Sequence, residues 1–214
     1  MVTVSDVLAR FMSEAFAQPL MDNALRGYWC EAMVAEALGP DCRLVAQGWH
    51  PWDLEIGDPF GNFPDRIRIQ VKNSAQLQSW NQVSGRPSEA SFSLKWRHKP
   101  GFFERDNPGV PCEVEGFLCD LFILCHHPEI DPKRADHRDP KQWGFYLLPV
   151  VPGHNAVTAN EVNWLRNRLA ATGKPSNTQR RPETLANGIR GRQPIRAVGI
   201  DDLTIQAVRV ALGV

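Results

Sequence analysis

Residues 66–74, RIRIQVKNS, constrain the fold of this chain more than any other stretch. Ile67, Ile69 and Val71 alternate with Arg68, Gln70 and Lys72, a period of two that fits a half-buried strand and no helix. Other strand-like runs surround it at 43–49, 52–56, 91–96, 117–125 and 143–150, with breaks rich in Gly, Pro, Asp and Asn. Leu8, Phe11, Met12 and Ala15 recur at helical spacing behind Ser5, a candidate N-cap. A second helix spans 24–38 and stops at Gly39-Pro40, a third spans 158–171, and a short one capped by Asp201 closes the chain at 201–213. Residues 131–142 read as a polar loop. Helices followed by a mainly antiparallel run of strands and a further helix imply an α/β fold, a central mixed sheet flanked by helices.

The chain has 214 residues, enough for one domain with additions: a core over 1–157 and a basic helical and loop extension over 158–214, packed on that core. No run reaches the length of a membrane span. Asp6, Arg10 and Glu14 interrupt what would be the apolar core of a signal peptide, so the expectation is a cytoplasmic protein with no membrane partner. Five cysteines without a CxxC pair argue against a disulfide framework or a zinc ribbon. Cys125, His126 and His127 are consecutive, so on a strand they cannot converge on one metal, and His98 among Arg97 and Lys99 is no better. There is no Gly-rich phosphate loop and no nucleophile elbow. The seven tryptophans fall mostly in strand or helix patterns, where core packing explains them; Trp80 is the least clearly buried.

Formal charge is zero but unevenly spread: residues 1–72 hold 6 basic and 10 acidic side chains, and residues 151–214 hold 9 and 4. Such asymmetry can separate an acidic metal-binding part from a basic phosphate-contacting part. Three elements carry the acidic candidates. Asp53 and Glu55 alternate with Trp52, Leu54 and Ile56, and the turn-rich connection 57–65 makes their strand an antiparallel neighbour of 66–72. Asp53, Gln70 and Lys72 are then expected on one sheet face. On the second helix, Glu31 interrupts a stripe of Gly27, Tyr28, Val34, Ala35 and Leu38, and a carboxylate there needs a cation or a donor. Gly27 leaves room for an approaching group.

Glu31 on a helix, Asp53 on one strand and Gln70-Val71-Lys72 on the next resemble the PD-(D/E)xK nuclease superfamily, in its Q-x-K variants. The resemblance covers roughly residues 24–150 and includes Asp120-Leu121-Phe122 on a later strand. It departs from the pattern in two places: Pro51 stands two residues before Asp53, and Gln70 replaces a carboxylate. The resemblance implies a restriction-endonuclease-like core and Mg²⁺-dependent hydrolysis of phosphodiesters, with Mn²⁺ able to substitute. Asp53 would be the central metal ligand, with the Gln70 amide and the Val71 carbonyl beside it. Glu31 would hold a metal-bound water or a second ion, Glu55 would supply the charge that Gln70 lacks, and Lys72 would orient the attacking water.

Double-stranded DNA is the expected substrate of this sequence-specific, restriction-type enzyme, and a homodimer suits cleavage of both strands. Arg166, Arg168, Lys174, Arg180, Arg181, Arg190, Arg192 and Arg196 stand against the single acid Glu183 within 164–196, and arginine forks suit phosphate. The same segment also reads as a solubilising loop. The competing functions are a homing or repair nuclease, a nucleic-acid-binding protein that does not cut, and a structural subunit on which Gln70 and Lys72 are surface decoration. Intact Asp53 and Lys72 favour an enzyme.

Overall fold

The computed structural model describes residues 2–45, 52–61, 63–80, 87–88, 92–94, 103–104, 107–111, 118–149, 178–180 and 196–214. Six strands form one mixed sheet: β1 (Cys42–Leu44), β2 (Leu54–Gly57), β3 (Arg66–Ala75), β7 (Leu121–His127), β8 (Gly144–Pro149) and β10 (Arg196–Val198), in that spatial order. Two ribbons form separate sheets, one pairing β4 (Phe92–Leu94) with β9 (Thr178–Arg180), the other β5 (Phe103–Glu104) with β6 (Asn107–Pro111). The described helices are α1 (Val4–Ala15), α2 (Asn23–Leu38) and α3 (Ile205–Leu212).

The alternating stretch becomes the ten-residue β3 near the middle of the sheet. It runs antiparallel to β2, with Leu54 opposite Ile69, and parallel to β7, with Val71 opposite Ile123 and Lys72 opposite Leu124. Leu54, Ile56, Ile67, Ile69, Val71, Ile123 and Phe145 form one face of the sheet and meet Val34 and Leu38 of α2 and Val208 of α3. The other face carries a smaller cluster of Trp52, Phe92, Cys119, Phe122, Leu124 and Leu148. Strands buried on both faces explain why all seven residues of β7 are buried.

Asp22 opens α2 by accepting hydrogen bonds from the backbone N–H groups of Ala24 and Leu25, and Gly39 closes it at φ 84°, where a side chain would be strained. The caps of the other helices differ from expectation. Thr3 caps α1 in a reciprocal box with Asp6, in place of Ser5. A 3₁₀ turn takes up Ile200–Asp202, so Thr204 caps α3 in place of Asp201.

Within the extension expected over 158–214, residues 196–214 join the main core: β10 pairs with β8, and Val198, Leu203, Ala207, Val208 and Leu212 lie in it. The helix expected over 158–171 lies outside the described residues. The loop 131–142 also holds more than polar surface. His137 is fully buried, with Nδ1 accepting from the Met21 N–H and Nε2 facing the Leu77 carbonyl, and burial pushes it down to about 3. His127 meets both His137 and Trp143 edge-on, a packing role for the histidine of the Cys-His-His run. Cys30, Cys42, Cys119 and Cys125 are free thiols. Among the described residues no helix is long and apolar enough to cross a membrane.

Candidate active site

The regular ladder between β2 and β3 ends at Leu54, one residue after Asp53, whose carbonyl still accepts the Val45 N–H at 2.9 Å. Asp53 donates its N–H to the Ile69 carbonyl at 2.9 Å, continuing the pairing by one bond. Its carboxylate then takes the place of a strand: Oδ2 accepts the Val71 N–H at 2.7 Å and the Gln70 side-chain amide. A strand residue presents its N–H and C=O to the same neighbour, so the Val71 carbonyl opens into the same gap. The three residues converge where, among the described residues, β2 stops at Leu54 while β3 continues, a notch in the sheet.

The expectation of one shared face is therefore refined. Gln70 and Lys72 stand opposite Phe122 and Leu124, on the face of the smaller cluster. Glu31 comes from α2, which covers the other face. Asp53 lies between the two faces, in the notch. Glu31, Asp53, Gln70 and Lys72 are all partly buried.

The electrostatics follow from that placement. Glu31 is raised from an ordinary carboxylate to about 7, first by burial and then by the Asp53 charge, with Lys72 acting in the opposite sense. Asp53 is also raised by burial, against the pull of Lys72, the Val71 N–H and the Gln70 amide. Two carboxylates thus share one lysine and resist being charged together.

Glu55 does not join them. Its side chain is fully buried in an ion cluster, where Arg43 Nη2 reaches Oε1 at 3.0 Å and Arg66 reaches Oε2 through Nε and Nη2 at 3.2 and 3.1 Å. Trp52 Nε1 donates to Oε2 at 3.3 Å, and the Arg66 and Arg68 guanidiniums lie 5.2 and 5.6 Å from the Trp52 ring centroid. The role of supplementary metal acid is corrected accordingly: this carboxylate is neutralised by arginines from both neighbouring strands. Asp120 has a similar fate. Its oxygens accept from the Arg68 N–H, Nε and Nη2 at 2.8, 2.9 and 2.8 Å, which staples the start of β7 to β3.

Gly27 also has a different task. A Cβ there would meet Asn73 Nδ2 at 3.7 Å, an ordinary contact, so the position faces a side chain of β3 and opens no channel. Next to it, the buried Arg26 binds Asn73, Gln78 and Asn23 through side-chain amides at 2.8, 2.5 and 2.6 Å. This clamp fixes the half of α2 that precedes Glu31. Nothing in the sequence pattern singled it out, because an arginine near a helix start reads as a surface residue. Tyr28, expected within the apolar stripe, is 66% exposed and lies one turn before Glu31.

Among the described residues no group of three or more His, Cys, Asp or Glu side chains is placed to hold a metal ion. The notch offers a leaner donor set of the Asp53 and Glu31 carboxylates and the Val71 carbonyl, to which Gln70 would add its amide oxygen by turning over the NH2 that meets Asp53. Such a set fits Mg²⁺, which keeps several waters and takes one or two protein carboxylates. It does not suit zinc, which prefers nitrogen and sulfur. Of the eight basic residues expected to contact DNA, Arg180 falls in β9 and Arg196 in β10; Arg166, Arg168, Lys174, Arg181, Arg190 and Arg192 lie outside the described residues. Comparisons of the chain with family models, curated proteins and solved structures each find no match.

Proposed function

We propose that the protein is a metal-dependent phosphodiesterase acting on DNA, a nuclease of restriction-endonuclease-like design, with its active site in the notch beside β2. One observation carries this reading: Asp53, Gln70 and the Val71 backbone meet where the sheet opens, with Lys72 and Glu31 brought in from opposite faces. A surface role for Gln70 and Lys72 would not require two carboxylates to share one lysine at the cost of raised pKa values.

Asp53 is the central anchor for a divalent cation, with the Gln70 amide oxygen and the Val71 carbonyl completing the protein side. When bound, Mg²⁺ or Mn²⁺ supplies a Lewis acid for the scissile phosphate and a source of activated water. Lys72 places a positive charge against the phosphate, where charge builds as water attacks phosphorus. Glu31, held close to neutral pH, takes or returns a proton of water within the notch. The mixed sheet fixes all of these groups on rigid elements, so little reorganisation is needed as charge develops.

The test is incubation of the purified protein with supercoiled plasmid in Mg²⁺, with and without EDTA. The reading predicts nicked or linear product only where free cation is present. Intact plasmid under all conditions, from a protein that still retards DNA in a gel, would favour the binding protein that does not cut.

A further inference from the structure

Arg26 is a buried cation held by neutral groups. It is 1% exposed, and its three partners are the side-chain amides of Asn73, Gln78 and Asn23, which accept from Nε, Nη1 and Nη2. Taking a charge out of water is costly, and without a carboxylate beside it the charge is a poor source of stability. What a guanidinium supplies instead is a planar fork that holds several groups in one geometry. Here the fork joins two elements. Asn23 lies on α2 itself, whereas Asn73 belongs to β3. Gln78 follows that strand and donates its own Nε2 to the Ala75 carbonyl at 2.6 Å.

The place of the joint decides what it does. Among the described residues the β2 ladder on β3 reaches Ile69 and goes no further, while β7 runs alongside from Ile69 to Ala75. Position 27 faces the same asparagine that Arg26 binds, since a Cβ there would meet Asn73 Nδ2 at 3.7 Å. Glu31 follows Gly27 by four residues, so it shares that helix face and lies about 6 Å further along the axis. Two residues of strand, from Asn73 back to Val71, cover roughly 6.6 Å. A helix fastened at Asn73 and running back along β3 thus brings Glu31 level with Val71, whose N–H meets Asp53. In keeping with that placement, the charges that act on Glu31 are those of Asp53 and Lys72.

We infer that Arg26 is a positioning residue of the reaction proposed above: through Asn73 it holds α2 on β3 so that Glu31 reaches Asp53 and Lys72. This role rests on the nuclease reading. Amide partners suit it, because a carboxylate in place of Asn73 would add a third acid beside two that already share one lysine. Arg26 touches neither metal nor substrate, so the clamp acts on kcat and leaves the KM for DNA alone.

The test compares two variants that each remove one bond to Arg26. Asn73→Ala cuts the bond that crosses to β3, and Asn23→Ala cuts the one within α2. Plasmid cleavage by the full chain is followed in Mg²⁺ over a range of DNA concentrations, with a urea midpoint for each variant. Asn73→Ala should lower kcat by about 10- to 100-fold, the scale of a misplacement near 1 Å, with KM unchanged. Asn23→Ala should cleave as the parent does. In a Glu31→Gln background Asn73→Ala should add little further loss, since its effect runs through Glu31. This role alone is overturned if an active parent loses kcat equally in both variants, or if the losses follow the urea midpoints or fall in KM. It is also overturned if Asn73→Ala costs the same with and without Glu31. A parent that neither nicks plasmid nor binds Mn²⁺ removes the nuclease reading, and this role with it.

Discussion

Two groups of carboxylates flank β3, and their surroundings are opposite. Toward its start, Glu55 and Asp120 are fully buried and each is met by arginine, Arg43 and Arg66 for one and Arg68 for the other. Four residues further along the strand, Asp53 and Glu31 share Lys72 and are both raised in pKa. The first group has three arginines for two carboxylates and ties three strands and β7 together. The second is short of positive charge, a deficit that a cation from solution can remove. A carboxylate's partner count therefore separates structural acids from candidate catalytic ones here, where burial alone would rank Glu55 first.

The comparison makes its largest claim for Asp53. Asp53→Asn keeps the shape and loses the charge, so plasmid cleavage should fall by at least about 1,000-fold, roughly 4 kcal/mol in the barrier, with Tm nearly unchanged. Glu55→Ala should do the reverse. Removing one partner of a buried ion cluster costs about 3 kcal/mol or more, read as an earlier urea midpoint, while the folded fraction still cleaves. If Glu55→Ala folds normally and loses activity, the assignment of the two groups is exchanged.

Lys72→Ala sharpens the second half of the contrast. Its loss should lower the cleavage rate by roughly 100-fold, in line with removal of one preorganised electrostatic contact. Metal affinity should be retained, because Lys72 ligates nothing. A titration of Mg²⁺ against rate at fixed DNA separates the two effects.

The smallest effect concerns pH. In metal-free protein Glu31 is raised to about 7, so the folded state binds more protons than the unfolded chain between the ordinary carboxylate pKa and 7. Stability from this group is therefore present at low pH and lost as pH rises through 7. Glu31→Gln should raise Tm relative to the parent at pH 8, by an amount worth about 1 kcal/mol after allowance for partial exposure. The difference should vanish near pH 4 and narrow when Mg²⁺ is added. A Tm gap that is the same at both pH values would mean that Glu31 is not under electrostatic strain.

Much of this arrangement could be read from residue order, and the parts that could not have physical reasons. Alternation placed β3 and its polar residues, and the turn-rich 57–65 stretch correctly made β2 its antiparallel neighbour. Alternation assigns faces only inside a ladder. Asp53 lies one residue beyond the last pair, where alternation no longer assigns its side chain a face, so its meeting with the Val71 N–H was hidden. The fate of Glu55 depended on Arg43 and Arg66 from strands on either side, a three-strand contact that no local window contains. The parallel pairing of β3 with β7 spans some fifty residues and leaves no local trace. β10 has three residues, too few for a period to show, so its pairing with β8 could not be read from residue order. His137 was masked by the charged residues around it, because a polar loop can still send one side chain inward.

The most direct test of the account is whether the notch binds a divalent cation through Asp53. Free Mn²⁺ gives a strong paramagnetic resonance signal that is lost on binding, and it can be titrated into metal-free protein at neutral pH without DNA. The account predicts that the parent removes the signal, that Asp53→Asn does not, and that Glu55→Gln, compared as folded protein, binds as the parent does. Equal Mn²⁺ binding by the parent and Asp53→Asn would contradict it.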